Sequence, residues 1–143
     1  MTPNHPSRIL AVDFGDARTG LAATDWTGTI VVPLPRVEAR DPEQVVRAIA
    51  AVCEERETEV VVVGMPLSAD GARGERAAHT ARFVERLRAA LPCPVATVDE
   101  SHTTDEAHER LKAGGVKASR RKQLADSIAA MVILERFRSG PGP

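Results

Sequence analysis

The stretch RILAVDFGDARTGLA, residues 8–22, decides the fold. Its first half alternates with period two. Ile9, Ala11 and Asp13 fall on one face, and Leu10, Val12 and Phe14 fall on the other. Gly15-Asp16 reads as a tight turn, and residues 19–24 as a strand returning antiparallel. Gly28 breaks that strand, and residues 29–32 form a third, ended by Pro33. The chain therefore opens as a three-stranded meander. Asp13 is the anomaly within it. A carboxylate closing an apolar strand is costly unless it is paired, hydrogen-bonded or bound to a cation. A plain turn residue in an Asp-x-Gly sequence is the competing account.

Beyond the meander the period changes from two to 3.6. Asp41-Pro42-Glu43-Gln44 is a helix start, with Asp41 as N-cap, Pro42 at the first helical position and Gln44 placed to close a capping box. Val45, Val46, Ile49, Val52 and Cys53 then make an apolar stripe. Residues 59–63 are nearly all Val, as in a strand buried on both faces in the interior of a sheet. A loop over 64–74 leads to a helix from about 75 to 90, with Ala78, Ala81, Phe83, Val84 and Leu87 as core candidates. Residues 95–98 form another buried strand, closing on Asp99-Glu100. A third helix starts at Thr103 and stops at Gly114-Gly115; a last one, capped by Ser119, runs to about Phe137. The order β-β-β-α-β-α-β-α-α implies an α/β fold: a mixed sheet, antiparallel and then parallel, with helices on both faces. At 143 residues the chain is one domain, with residues 1–7 and 139–143 as flexible tails.

Asp126 is the second anomaly. Ala129, Ala130, Ile133 and Phe137 follow it at helical spacing, so this carboxylate begins the face that docks on the sheet. An ion pair with Lys122, one turn earlier, is the structural alternative. Asp99-Glu100 is the third site: adjacent acids at the end of a buried strand, where open α/β sheets bind ligands. One must face the cleft and one away, and alternation does not say which. Three carboxylate sites on separate elements suit a hard cation such as Mg²⁺ or Mn²⁺. Two such ions clamp the oxygens of a phosphoryl displacement. Lys117, Arg120, Arg121 and Lys122 precede Asp126 and are candidates to hold phosphates; a solvated charge run is the plainer account of them.

Composition narrows the remaining classes. The formal net charge is −1, so there is no general basic coat and phosphate contacts must be local. With one Trp, three Phe and no Tyr, a base-stacking platform is not expected. The two cysteines, Cys53 and Cys93, lack zinc-ligand spacing and read as buried reduced thiols. No P-loop, dinucleotide fingerprint or nucleophile elbow is present. Neither a secretory leader nor a membrane-length apolar run is seen, so the cytoplasm is the expected compartment.

Four motifs, in order, resemble the YqgF/RuvX family of RNase H-like proteins. Asp13-Phe14-Gly15-Asp16-Ala17-Arg18-Thr19-Gly20-Leu21-Ala22 is similar to the family's Asp-x-Gly-x-x-Arg-x-Gly-x-Ala opening. Val63-Gly64-Met65-Pro66-Leu67, continuing to Asp70-Gly71, is the second match. Asp99-Glu100-Ser101-His102-Thr103-Thr104 is similar to Asp-Glu-Arg-x-Thr-Thr, and Asp126 with Ala129-Ala130 to the closing Asp-x-x-Ala-Ala. The resemblance implies an RNase H-like three-layer fold in which the acids converge. It implies that Asp13, Asp99 or Glu100, and Asp126 are catalytic metal ligands, with Arg18, Thr103 and Thr104 lining the cleft. Ser101 stands where the family has Arg, and His102 is the candidate to replace it in gripping substrate. The strand over 59–63 carries no interior acid, so the Asp99-Glu100 pair must serve in its place.

The expected activity is divalent-metal-dependent hydrolysis of phosphodiesters in 5′-end processing of pre-16S ribosomal RNA. One alternative keeps the chemistry but acts on branched DNA as a Holliday junction resolvase, which calls for a homodimer rather than a monomer. The other is a non-catalytic RNA-binding ribosome-assembly module on the same fold. Asp126→Asn is expected to keep or raise stability by relieving crowding among the acids.

Overall fold

The computed structural model describes residues 7–66, 71–100, 109, 112–115 and 117–139, with backbone alone at 71–73 and 118–123. Five strands, β1 (Ile9–Asp13), β2 (Arg18–Thr24), β3 (Val31–Glu38), β4 (Val60–Met65) and β5 (Val95–Asp99), form one sheet in the order β3-β2-β1-β4-β5. The β1–β2 and β2–β3 pairs are antiparallel, and β1–β4 and β4–β5 are parallel. Helices α1 (Pro42–Arg56), α2 (Gly71–Ala90) and α3 (Ala118–Ser139) cover it. The helix expected from Thr103 falls largely outside the described residues.

Alternation along β1 divides the core as its sequence requires. Leu10, Val12 and Phe14 pack with Val61 and Val63 against α1 and α2, through Val45, Ile49, Phe83 and Leu87. Ile9 and Ala11 pack with Val60 and Val62 against Ala130, Ile133 and Leu134 of α3. Asp13 ends the row on the α3 side. The α1 start forms as its residues dictate: Asp41 accepts from the Glu43 N–H at 3.0 Å, with Pro42 in the first turn.

Three elements differ from expectation. β3 does not stop at Pro33 but runs through Pro33 and Pro35 to Glu38. It is an edge strand, where missing N–H donors are tolerated. On α2 the buried line is Thr80, Phe83, Val84 and Leu87, while Ala78 and Ala81 are exposed. Alanine is too small to mark a face, and the larger side chains set the phase. The last helix begins at Ala118, so Ser119 lies within its first turn rather than capping it.

Cys53 and Cys93 are both free. They come from α1 and the α2–β5 turn into hydrogen-bonding reach of each other. No helix among the described residues is long and apolar enough to cross a membrane.

Candidate active site

Asp13 sits at the end of β1, the middle strand of the sheet. Its partner across β2 is Gly20, and Val12 beside it pairs with Val63, one residue before Gly64 on β4. Both glycines make room for acidic residues. A Cβ at Gly20 would fall on the main-chain carbonyl of Asp126, so α3 lies directly on the β2 backbone there. A Cβ at Gly64 would come within 2.8 Å of the Glu100 Cβ and 2.6 Å of Ile133 Cδ1. Glu100 therefore lies over β4 where any larger residue would exclude it. Its own N–H donates to the Met65 carbonyl at 2.9 Å, which fixes the chain just past β5.

Asp13 and Glu100 are in side-chain hydrogen-bonding contact. Burial pushes the Asp13 carboxyl well above its ordinary range; the Glu100 charge and hydrogen bond raise it further, as does the Asp126 charge, while Arg76 on α2 opposes them. Two carboxyl groups this close repel when both are ionised, so Asp13 resists losing its proton. Asp126 faces cations instead. Its Oδ2 is 3.6 Å from an Arg36 guanidinium nitrogen and 3.9 Å from Arg18 Nε.

Among the described residues, no group of three or more His, Cys, Asp or Glu side chains is poised to hold a metal ion. The donor set nonetheless suits a hard cation: oxygen ligands only, from three elements, with the Asp13–Glu100 repulsion left for a positive charge to relieve.

Of the adjacent acids at the end of β5, Glu100 reaches Asp13, whereas Asp99 is exposed and its backbone carbonyl accepts from Arg136 at 2.9 Å. Arg18 lies at the cluster, and Lys117 is exposed ahead of α3. Arg120, Arg121 and Lys122 are in the first turns of α3, with side chains outside the described atoms, as are His102, Thr103 and Thr104 entirely. Sequence reasoning passed over Arg36 and Arg76. Arg36 belongs to a strand ended too early, and Arg76 has no local signal beyond its place in the first turns of α2.

A family model described as "RuvX: Holliday junction resolvase" matches residues 7–139. A Chloroflexus aggregans protein described as "Putative pre-16S rRNA nuclease" is 40% identical over 129 residues, covering 90% of this chain and 91% of its own. A Synechococcus elongatus protein of the same description is 41% identical over 128 residues, covering 90% and 86%. Among solved structures, RuvC of T. thermophilus in complex with a Holliday junction substrate superposes with a TM-score of 0.59 at 16% identity, over 93% of this chain and 96% of that one. The Fowlpox virus resolvase in complex with Holliday junction DNA gives 0.52 at 14%, over 94% and 99%. That structural likeness is one of fold, an RNase H-like α/β sheet with helices on both faces. With the family model covering nearly its whole length and relatives at this identity, the chain belongs to the RuvX family.

Proposed function

We propose that this protein is a divalent-metal-dependent nuclease that hydrolyses phosphodiester bonds in the 5′-end processing of pre-16S ribosomal RNA, in the cytoplasm. The observation that supports the chemistry is Asp13 at the end of β1 in contact with Glu100 just past β5, with the charge of Asp126 on α3 acting on it. The relatives described as pre-16S rRNA nucleases carry the choice of RNA.

Asp13, Glu100 and Asp126 are the residues that would hold the cation, Mg²⁺ or Mn²⁺. When bound, it supplies charge for the phosphoryl oxygens and lowers the pKa of a coordinated water. With both ionised, Asp13 and Glu100 would present two anionic donors. Arg18, half exposed beside Asp126, would meet a phosphate oxygen at the rim. Asp99, one residue before Glu100 and exposed, lies outside this inner set.

The second reading, a resolvase of branched DNA, is favoured by the description of the family model and by the fold of the two junction-bound chains. One assay separates the readings. Purified protein is given a pre-16S 5′-leader RNA, an unrelated single-stranded RNA and a four-way DNA junction, each with Mg²⁺ or Mn²⁺. The proposal expects metal-dependent cleavage of the leader RNA that Asp13→Asn abolishes. Cleavage of the junction alone, by a dimer in solution, establishes the resolvase. Binding of RNA with equal, metal-independent absence of cleavage in wild type and Asp13→Asn establishes a binding module.

A further inference from the structure

We infer that Arg36 is a positioning residue for the metal-binding carboxylate Asp126, set in place by a bulge in the edge strand. This rests on the reading of Asp126 as a metal ligand.

The register between β2 and β3 shifts in one place. Leu21 pairs with Leu34, and Thr19 pairs with Val37. Two residues, Pro35 and Arg36, therefore stand opposite Gly20 alone. Such a bulge changes which face the following side chains take. In an unbroken strand Leu34 and Arg36 share a face, and Val37 points away from both. Here Leu34 and Val37 both pack into the core beneath α1 and α2. Arg36, between the bulge and Val37, is thereby turned to the opposite side of the sheet, where α3 lies.

The position opposite the bulge is the one where α3 comes closest. Gly20 takes the Asp126 backbone against it, and the neighbouring Ser127 hydroxyl donates to the Leu34 carbonyl at 3.0 Å. The Asp126 main chain thus lies against β2, and its neighbour Ser127 is hydrogen-bonded to β3, next to Arg36. The Arg36 side chain is 21% exposed, against 47% for Arg18. Its guanidinium spans two acids, Asp126 at 3.6 Å and Glu38 at 3.4 Å. A planar fork held at both ends fixes the carboxylate it touches, which a single flexible ammonium does not. The Arg18 and Arg36 guanidinium groups both approach Asp126 at Oδ2. Their approach to the same oxygen orients the Asp126 carboxylate.

The test is Mn²⁺ affinity, measured by titration of the full chain with electron paramagnetic resonance detection of free ion, beside steady-state cleavage of leader RNA. Arg36→Gln is expected to weaken Mn²⁺ binding about 10-fold, in the range usual for removing a partner of a metal ligand. It is expected to lower kcat with little change in KM for RNA. Arg36→Lys keeps the charge without the fork and should fall between wild type and Arg36→Gln. It also carries the test should Arg36→Gln fail to fold. Wild-type Mn²⁺ affinity in both variants overturns the inference, as does a rise in KM with affinity and kcat unchanged, which marks a phosphate contact instead. Absence of Asp126-dependent Mn²⁺ binding in the wild type overturns it together with the metal reading. Should the wild type bind Mn²⁺ yet cleave no nucleic acid, the nuclease proposal fails while the affinities of the two variants still decide the role of Arg36.

Discussion

Asp126 lays its main-chain carbonyl against Gly20, in the space that a side chain on that strand residue would occupy. Gly20 is the β2 partner of Asp13, so the contact that docks α3 also sets the separation between two acids more than 100 residues apart in sequence. Gly64 does the same on the other flank of β1, where Glu100 lies over it. Asp13 stands in a trough cut by two glycines, and the other acids enter from its two sides.

Substituting these glycines should separate stability from activity. Gly20→Ala meets backbone that α3 holds rigidly, so an overpacking cost of about 1–3 kcal/mol is expected, with loss of cleavage. Gly64→Ala meets the end of the Ile133 side chain, which can shift, and the Glu100 Cβ, which must move with its strand end. Its unfolding midpoint should fall less than that of Gly20→Ala, while cleavage falls comparably. Urea unfolding of both variants beside their activity checks this; a Gly64→Ala protein with full activity contradicts the placement of Glu100.

Asp13 makes metal-free stability depend on pH. Its folded carboxyl titrates well above its unfolded value, because of burial, Glu100 and Asp126. The folded state therefore binds the proton more tightly. The stabilisation is fully present below the unfolded pKa of about 4, and is lost as pH rises through the folded pKa. Asp13→Asn cannot ionise and should be more stable than wild type at pH 7 in chelator. The difference should close toward pH 4. Thermal unfolding of both proteins across that range is the measurement, and a parallel pair of curves contradicts it.

Glu100 and Asp99 are neighbours in unlike surroundings: Glu100 contacts Asp13, and Asp99 is exposed. Glu100→Gln removes an oxygen donor beside Asp13 and should lower kcat by about 100-fold or more, as loss of a group acting on the transition state does. Asp99→Asn changes an exposed side chain and should keep activity within about 3-fold, a difference of less than ~1 kcal/mol in the barrier. The reverse ranking, read from initial rates at saturating metal, removes Glu100 from the centre.

The cysteines should be inert in the folded protein. Burial pushes the Cys53 thiol up to about 11, with Cys93 alongside adding to the shift, and burial also raises Cys93. The thiolate is the reactive form, and little of it exists at pH 8. Cys53 should react with an aromatic disulfide reagent only on unfolding, and Cys93 more slowly than a free thiol. Rapid titration of both thiols in native buffer contradicts this.

The sheet and its two cores were legible because period-two alternation in residues 9–14 assigns each side chain to a face before any tertiary contact forms. Asp13 and Asp126 were legible as charges on apolar stripes, a conflict visible in one element at a time. What stayed hidden needed two elements at once. The choice between Asp99 and Glu100 depends on where β5 ends relative to β4, and on Gly64 leaving room. Arg36 was missed because proline was taken to end β3, whereas an edge strand and a bulge accept it. The contact of Asp126 with Arg36 joins α3 to β3, 90 residues apart in sequence, which no helical spacing reveals.

The central claim is that Asp13, Glu100 and Asp126 share a divalent cation. Crystals of the full chain soaked in Mn²⁺ and measured at the manganese absorption edge test it directly. The account predicts an anomalous peak with carboxylate oxygens of all three residues at about 2.1–2.2 Å, the spacing of small hard cations. Full Mn²⁺ occupancy elsewhere on the protein, with Asp13 still hydrogen-bonded to Glu100 and Asp126 still on Arg36, would contradict it.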